Sequence, residues 1–162
     1  MKLQSAGKRA IAGGLSAVLL LAAPLVAKWE GVRYYAYPDP ATGGAPWTVC
    51  YGHTGPDVVR GKGYTLAECQ ALLQADLREA DAIVRRCIAR PMPTRVEAAL
   101  VSLTFNVGPQ PVCSGMLGRH ARAGDWARTC ASLDVYRMAG GRVMRGLVLR
   151  RADERAVCEG RA

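Results

Sequence analysis

The order of apolar and polar residues divides the chain into three parts. Ala10 to Ala27 form an uninterrupted run of uncharged, mostly apolar residues. Residues 31–64 show no helical periodicity and are rich in Gly, Pro, Tyr and Thr, which indicates short strands and turns. From Thr65 onward, apolar residues recur at helical intervals, as on one face of an amphipathic helix. The pattern therefore predicts a small sheet followed by a helical body.

Capping signals divide the helical part into separate helices. A Thr-x-x-Glu capping box opens a long amphipathic helix over 65–87, and a second box begins at Thr94 and opens a helix that a glycine ends. Asp125 can cap the segment WARTCASLDVY, and a last helix ends at Gly160. The predicted fold class is α+β, with a small sheet lobe and a larger helical lobe.

A basic flank precedes the apolar run, which is the arrangement of an export signal. By the positive-inside rule Lys2, Lys8 and Arg9 stay in the cytoplasm while the rest of the chain is exported. The run is long enough to span a bilayer. It is a weak anchor, however, because six of its eighteen residues are Ala and two are Gly.

A cleaved signal peptide is the alternative interpretation of this segment. Cleavage requires small residues at both A-x-A positions, and the natural cut after Ala27 places Leu25 at one of them. We therefore expect an uncleaved apolar segment, residues 1–27, that precedes one globular domain over 28–162.

The charge of the exported domain restricts its partners. Three of the 22 basic residues precede the apolar run, so residues 28–162 carry 19 basic against 13 acidic residues. Such a surface suits nucleic acid, anionic lipid or acidic cell-wall polymer. Nucleic-acid binding would explain the charge but not the export signal, so we expect no nucleic-acid partner. The arginines over 142–155 are expected to form a solvated basic surface.

Six cysteines all lie beyond the apolar run. An even number of cysteines on the exported side predicts three disulfides. Cys50 and His53 have the spacing of zinc ligands, but the chain has only one other histidine, His120, and no second close pair, so we expect no metal. Six cysteines allow 15 pairings. We expect Cys50–Cys69, which would join the turn to the long helix, and Cys130–Cys158, which would join the last two helical segments; Cys87–Cys113 is then the remaining pair.

Two carboxylates lie shortly after the apolar run. Glu30 and Asp39 could cleave a glycosidic bond, in which one carboxyl donates a proton to the leaving oxygen while the other acts on water or the sugar cation. Apolar surroundings would keep the first one protonated, and Trp29, Val32 and Tyr34 are candidates for that wall. The pair alone is a weak signal, because both residues could equally cap turns.

The phrase around these two residues is far more specific. "WEGVRYYAYPD" followed by "WTVCYGHTG" resembles the phage lysozyme (endolysin muramidase) family, glycoside hydrolase family 24, whose hallmark is Glu, eight residues, Asp, then Thr ahead of a Gly-His turn. Glu30 and Asp39 have that spacing, and Thr48 stands before the turn. "LAECQALLQADL", "LVSLTFNVG" and "GLVLRRADERAVC" follow in the family's order, so the resemblance covers most of residues 28–160.

The resemblance implies a lysozyme-like fold and roles for these residues. Glu30 would be the general acid, Asp39 would orient or activate water, and Thr48 would hold that water. The reaction would be hydrolysis of the β-1,4 bond between N-acetylmuramic acid and N-acetylglucosamine in peptidoglycan. One departure is that eight residues separate Asp39 from Thr48 where the family usually has five. Thr42 is therefore a rival to Thr48.

The resemblance also implies roles outside the catalytic group. His53 would brace the sheet lobe through Asp76 on the long helix, rather than act as a base. Asn106 would face the sugar, although capping of its helix end is an equal alternative. Trp126 and Tyr136 could stack on sugar, but packing in the core is the better interpretation.

The N-terminal segment resembles that of the signal-anchor-release endolysins. While residues 10–27 span the inner membrane, Glu30 is held within roughly 10 Å of the bilayer, where the cleft cannot assemble. Release would convert a membrane protein with a periplasmic domain into a soluble periplasmic enzyme, with the segment packed on the domain as a helix. Some relatives use a thiol in the anchor to free a blocked catalytic cysteine. This chain differs from them, since no cysteine precedes Cys50.

The expected partners are peptidoglycan and, before release, the inner membrane. We expect a monomer without cofactors. A lytic transglycosylase is one alternative function, since it also uses a Glu but leaves an anhydro sugar end. A non-catalytic, exported wall-binding protein is the other, and it would be indifferent to loss of Glu30.

Overall fold

The computed structural model describes residues 16–38 and 44–162. These residues form a small antiparallel sheet and a larger helical body, so the predicted α+β class is confirmed. The elements in chain order are α1 (Ala17–Glu30), β1 (Arg33–Pro38), β2 (Trp47–Cys50), β3 (His53–Thr54), α2 (Leu66–Ile88), α3 (Thr94–Val107), α4 (Gln110–Cys113), α5 (Met116–Ala123), α6 (Trp126–Ala131), a 3-10 helix (Ser132–Val135), β4 (Met138–Ala139), β5 (Arg142–Val143) and α7 (Arg145–Glu159).

Helix α1 packs into the helical body with one apolar face. Ser16 caps the start of the helix, and its Oγ accepts a hydrogen bond from the Leu19 backbone N–H at 3.3 Å. Leu20 and Leu21 lie on the other face and are exposed. The helix ends at Gly31, whose φ of 64° favours glycine. The buried stripe consists of Val18, Leu19, Ala22, Leu25 and Val26.

The predicted membrane segment is only partly covered by the structure. Residues 10–15 lie outside the described residues, and residues 17–27 belong to α1. Over the described ranges, no helix combines the length and the apolar character needed to cross a bilayer.

The capping box predicted for the long helix is confirmed. The Glu68 backbone N–H donates to Thr65 Oγ1 at 3.2 Å, and the Thr65 backbone N–H donates to Glu68 Oε2 at 2.7 Å. Below this cap, one face of α2 packs on the core through Leu73, Leu77 and Val84. Helix α2 is thus the long element that connects the two lobes.

The second predicted capping box is wrong. Thr94 is the first residue of α3 rather than its cap, and Pro93 precedes the helix without a side-chain hydrogen bond. The carboxylate of Glu97 has another partner, because Arg85 Nε lies 2.7 Å from its Oε1. Burial in this contact between α2 and α3 raises the pKa of Glu97.

The C-terminal helices follow the predicted signals in part. Asp125 caps α6, since its Oδ1 accepts from the Arg128 backbone N–H at 3.0 Å. The predicted helix beyond it changes to a 3-10 turn at Ser132. Helix α7 ends at Gly160, as predicted, with a left-handed φ of 72°.

The first disulfide connects the sheet lobe to the helices, and the other two connect helices to one another. Strand β2 is central and pairs antiparallel with both β1 and β3, with Thr48 opposite Tyr37 and Thr54. The cysteines form the pairs predicted from the sequence, which are Cys50–Cys69, Cys87–Cys113 and Cys130–Cys158. The first of them joins the end of β2 to α2.

Candidate active site

A cleft of about 520 Å³ lies between the turn after β2, helix α2 and the end of α3. Its lining includes Glu30, Asp76, Glu79 and Asn106. Three elements far apart in the chain therefore meet at one opening. Three of these four side chains are carboxylic acids, so this wall is acidic although the chain is basic overall.

Glu30 stands at the edge of this cleft because α1 ends there. Its side chain is 23% exposed, so the carboxyl is accessible to a ligand. Arg150 Nη1 of α7 donates to Glu30 Oε1 at 2.5 Å. The turn after β2 also comes close, since a Cβ added to Gly52, whose φ is 85°, would lie 3.7 Å from Glu30 Oε2. One carboxyl oxygen is held by a cation while the other faces a glycine.

Two of the three residues expected to form an apolar wall around Glu30 contact another carboxylate or are exposed. Trp29 turns its indole Nε1–H to Asp153, 2.9 Å from Oδ2, and Tyr34 is 40% exposed on β1. A charged partner, Arg150, contacts the carboxyl instead. The chain order placed aromatic residues beside Glu30, but adjacent residues in a helix or strand point in different directions.

Of the other two predicted catalytic residues, the structure describes Thr48 but not Asp39. Asp39 and the rival Thr42 lie outside the described residues. Thr48 is buried, with 6% of its surface exposed, in the centre of the sheet. From these strands it is Thr54, its cross-strand partner, that contributes to the cleft lining.

His53 joins the sheet lobe to α2. Its Nδ1 lies 2.9 Å from Asp76 Oδ1, and its Nε2 lies 3.1 Å from Asp57 Oδ1. Burial by itself lowers the pKa of His53, but the hydrogen bonds to Asp57 and Asp76 outweigh it and raise the pKa above 6.5. The histidine and Asp76 thus meet as the resemblance implied, and both ring nitrogens are occupied by carboxylates.

This contact predicts a pH-dependent stability. Because the folded-state pKa of His53 is raised, its contribution is fully present below pH 6.5 and is lost as the pH rises past the folded pKa. We expect wild type to lose about 0.5–1 kcal/mol of unfolding free energy relative to His53→Gln across that window. Denaturant titrations at a series of pH values measure it. Asp76→Asn should reduce the pH dependence, and an equal dependence in His53→Gln would contradict the assignment.

Asn106 is held from behind by a buried arginine. Its Oδ1 accepts from Arg151 Nη2 at 2.8 Å. The side-chain NH₂ of Asn106 is then available to donate to a ligand in the cleft. Asn106 lies near the end of α3 and lines the cleft. The helix itself is ended by the residue after it, Gly108, which has a φ of 82°.

Behind Glu30 and Asn106 lies a buried ion cluster that sequence reasoning missed. Arg150 is 3% exposed, Arg151 is 1% exposed and Glu154 is fully buried. The expectation of a solvated basic surface over 142–155 is therefore wrong for these two arginines. The spacing of Glu154 from both arginines on one helix was the available signal, since residues three and four apart are neighbours.

Trp126 and Tyr136 pack partly buried against the core, as predicted. Over residues 16–38 and 44–162, no three His, Cys, Asp or Glu side chains come together in the manner of a metal site. The carboxyl group of Glu30 is accessible at the cleft edge, where it can exchange a proton with a bound ligand.

Both the sequence and the structure are similar to those of phage lytic enzymes. The profile of the family described as Phage lysozyme matches residues 27–154. The chain is 40% identical over 129 residues to the SAR-endolysin of Enterobacteria phage P21, which covers 80% of this chain and 76% of that protein. The muramidase domain of SpmX from Asticaccaulis excentricus superimposes with a TM-score of 0.75 at 26% identity, over 90% of this chain and 95% of that one.

Two forms of one further enzyme differ in their similarity to this structure. The active form of P1 phage endolysin Lyz gives a TM-score of 0.75 at 26% identity, over 90% of this chain and 84% of that chain. The secreted inactive form of Lyz gives 0.51 at 24% identity, over 66% and 77%. The arrangement described above is thus more similar to an active form than to an inactive one.

Proposed function

Because the chain belongs to the phage lysozyme family and is a glycoside hydrolase of the lysozyme type, we propose that it is an endolysin whose Glu30 protonates the leaving oxygen of a peptidoglycan glycosidic bond. The observation that carries this proposal is the position of Glu30 at the cleft edge, between the Gly52 turn and Arg150. A general acid must be within hydrogen-bond reach of the oxygen that leaves, and only an accessible carboxyl meets that condition.

The second half of the reaction needs an activated water. We assign it to Asp39, which would orient or activate the water, and to Thr48, which would hold it. The spacing of Asp39 from Glu30 and the place of Thr48 ahead of the Gly-His turn support the assignment. Asn106 would bind the sugar, since its amide NH₂ is left to donate once Arg151 occupies its oxygen.

The bond cleaved is the β-1,4 bond between N-acetylmuramic acid and N-acetylglucosamine. The name muramidase of a structural neighbour supports this choice. The net charge of +9 supports an acidic polymer as the partner. The enzyme would act in the periplasm as a monomer that binds no nucleic acid.

The N-terminal segment would hold the enzyme in the inner membrane before release. Residues 1–27 would form the anchor and 28–162 the catalytic domain. After release, residues 17–27 would exchange lipid for the protein core, because α1 presents a buried stripe to α3. The apolar side chains of this segment would thus contact lipid before release and the protein core after it.

Packing of α1 also argues against cleavage after Ala27. Cleavage would remove four large aliphatic side chains from the core, each of which contributes about 1.5–3 kcal/mol when buried. That loss is comparable with the total stability of a domain, about 5–15 kcal/mol. It would also leave Glu30 without the helix that places it at the cleft.

Digestion of purified peptidoglycan tests this function. We expect the full-length, oxidised protein to reduce the turbidity of a peptidoglycan suspension and to release muropeptides with reducing ends. Products with anhydro ends would identify a lytic transglycosylase instead. Binding without loss of turbidity would identify a wall-binding protein and overturn the proposal.

A further inference from the structure

Four ionisable side chains form a continuous cluster from the cleft into the core. Arg150 contacts two carboxylates at once, because its Nη1 donates to Glu30 Oε1 at 2.5 Å and its Nε to Glu154 Oε1 at 3.3 Å. Arg151 Nε lies 2.9 Å from Glu154 Oε2. Glu30 is thus the only one of the four at the surface of the cleft, and the others lie behind it.

The surroundings of Glu154 suit its ionised form. Its Oε1 accepts from Ser102 Oγ at 2.7 Å and from Arg151 Nη2 at 3.1 Å, in addition to Arg150. All of these partners donate hydrogen bonds. A carboxylate can accept from all of them, whereas a protonated carboxyl can accept fewer because one of its oxygens carries a hydrogen. Burial raises the pKa of Glu154, and the two arginines and Ser102 offset only part of that rise.

Glu154 matters to the site because it shares a cation with Glu30. A buried guanidinium stabilises a carboxylate that touches it, and the effect is strong where water is excluded. A general acid, however, must hold its proton before it can donate it. If Arg150 and Arg151 acted on Glu30 without a buried counter-charge, they would favour its carboxylate form and reduce the fraction that can donate.

We propose that Glu154 is a positioning residue for this reaction: by sharing Arg150 with Glu30, it limits how strongly the arginines stabilise the Glu30 carboxylate and so keeps Glu30 available as the acid. The inference rests on the proposed role of Glu30. It also explains why the chain buries a charge that makes no contact with the cleft itself.

Other charged groups near Glu30 are unchanged by a substitution at position 154. Asp76 and Glu79 of α2 line the same cleft, and His53 pairs with Asp76. On α1, Lys28 is paired with Asp153 at 2.6 Å. Asp39 lies outside the described residues. A series of variants confined to the buried cluster therefore changes one contribution while these groups stay constant.

The experiment is a charge series read by the pH profile of kcat/KM on purified peptidoglycan. Glu154→Gln adds one uncompensated positive charge behind Glu30, Arg151→Gln removes one, and the double variant restores the wild-type balance. We expect the basic-side midpoint to fall by about 0.5–1 pH unit in Glu154→Gln and to rise by a similar amount in Arg151→Gln. In the double variant the midpoint should return to that of wild type.

A structural role for Glu154 alone would not produce this order. Because Arg151 also holds Asn106, its variants are compared by midpoint and not by rate. Ser102→Ala is the matched control, since it removes a hydrogen bond to Glu154 without changing charge, and its midpoint should stay at the wild-type value. If Glu154→Gln alone fails to fold, the double variant compared with Arg151→Gln measures the same change, and its midpoint should be lower.

The possible failures are distinguishable. If wild type releases no reducing ends from peptidoglycan, the proposed function is wrong. If wild type is active and all variants share one midpoint, the role of Glu154 is wrong while the muramidase function stands. A midpoint that rises in Glu154→Gln would also overturn the inference.

Discussion

Replacement of Glu30 by Gln should lower the rate of peptidoglycan hydrolysis by about 10²–10⁴-fold, the usual contribution of a general acid. Gln has nearly the same shape and keeps an oxygen that can accept from Arg150, but its amide has no acidic proton to transfer to the leaving oxygen. The fold should therefore be retained. Initial rates of turbidity loss, with circular dichroism and thermal unfolding of the same samples, measure both effects.

Asp153→Asn is the matched control for this substitution. Asp153 is also a partly exposed carboxylate beside α1, where it contacts Lys28 and Trp29, but it does not line the main cleft. We expect it to keep activity within a few fold of wild type, roughly as for other surface substitutions. A folded Glu30→Gln protein that keeps most of its activity would contradict the muramidase assignment.

A more hydrophobic N-terminal segment should trap the protein in the membrane and abolish lysis. Gly13→Leu with Gly14→Leu adds apolar surface to the anchor, and each added leucine favours insertion. Ser16→Leu would also favour insertion, but it would remove the cap of α1, so we leave Ser16 unchanged. Fractionation of expressing cells, together with culture turbidity, measures the outcome. We expect full-length protein in membranes only, whereas wild type should appear in both membrane and soluble periplasmic fractions.

Substitutions on the exposed face of α1 should have the opposite effect, because they make the anchor less hydrophobic. Leu20→Ala with Leu21→Ala weakens the anchor, yet in the released fold these side chains are 57% and 44% exposed, so little packing is lost. We expect earlier release and earlier lysis. If the soluble wild-type protein begins at Lys28, the segment is an ordinary signal peptide and the release proposal is wrong.

Local signals predicted much of the architecture. The capping box at Thr65, the cap at Asp125 and the stop at Gly160 depend on neighbouring residues, and all three are present. Two disulfide pairs, Cys50–Cys69 and Cys130–Cys158, were predicted from the elements that they join, and the third followed as the remaining pair. The short helices α4 and α5 and the hairpin of β4 and β5 were not predicted, because such short elements carry little periodicity.

The sequence by itself determined the order of a small sheet lobe and a helical lobe, the even number of cysteines and the position of Glu30 directly after an apolar segment. Only the tertiary structure decided what surrounds that carboxyl. Arg150 lies 120 residues away along the chain, yet it contacts the carboxyl of Glu30. Likewise Arg85 takes the carboxylate of Glu97 from its predicted cap. In both cases the physical reason is the same: a partly or fully buried carboxylate needs a counter-charge, and the packing of distant helices supplies the nearest one.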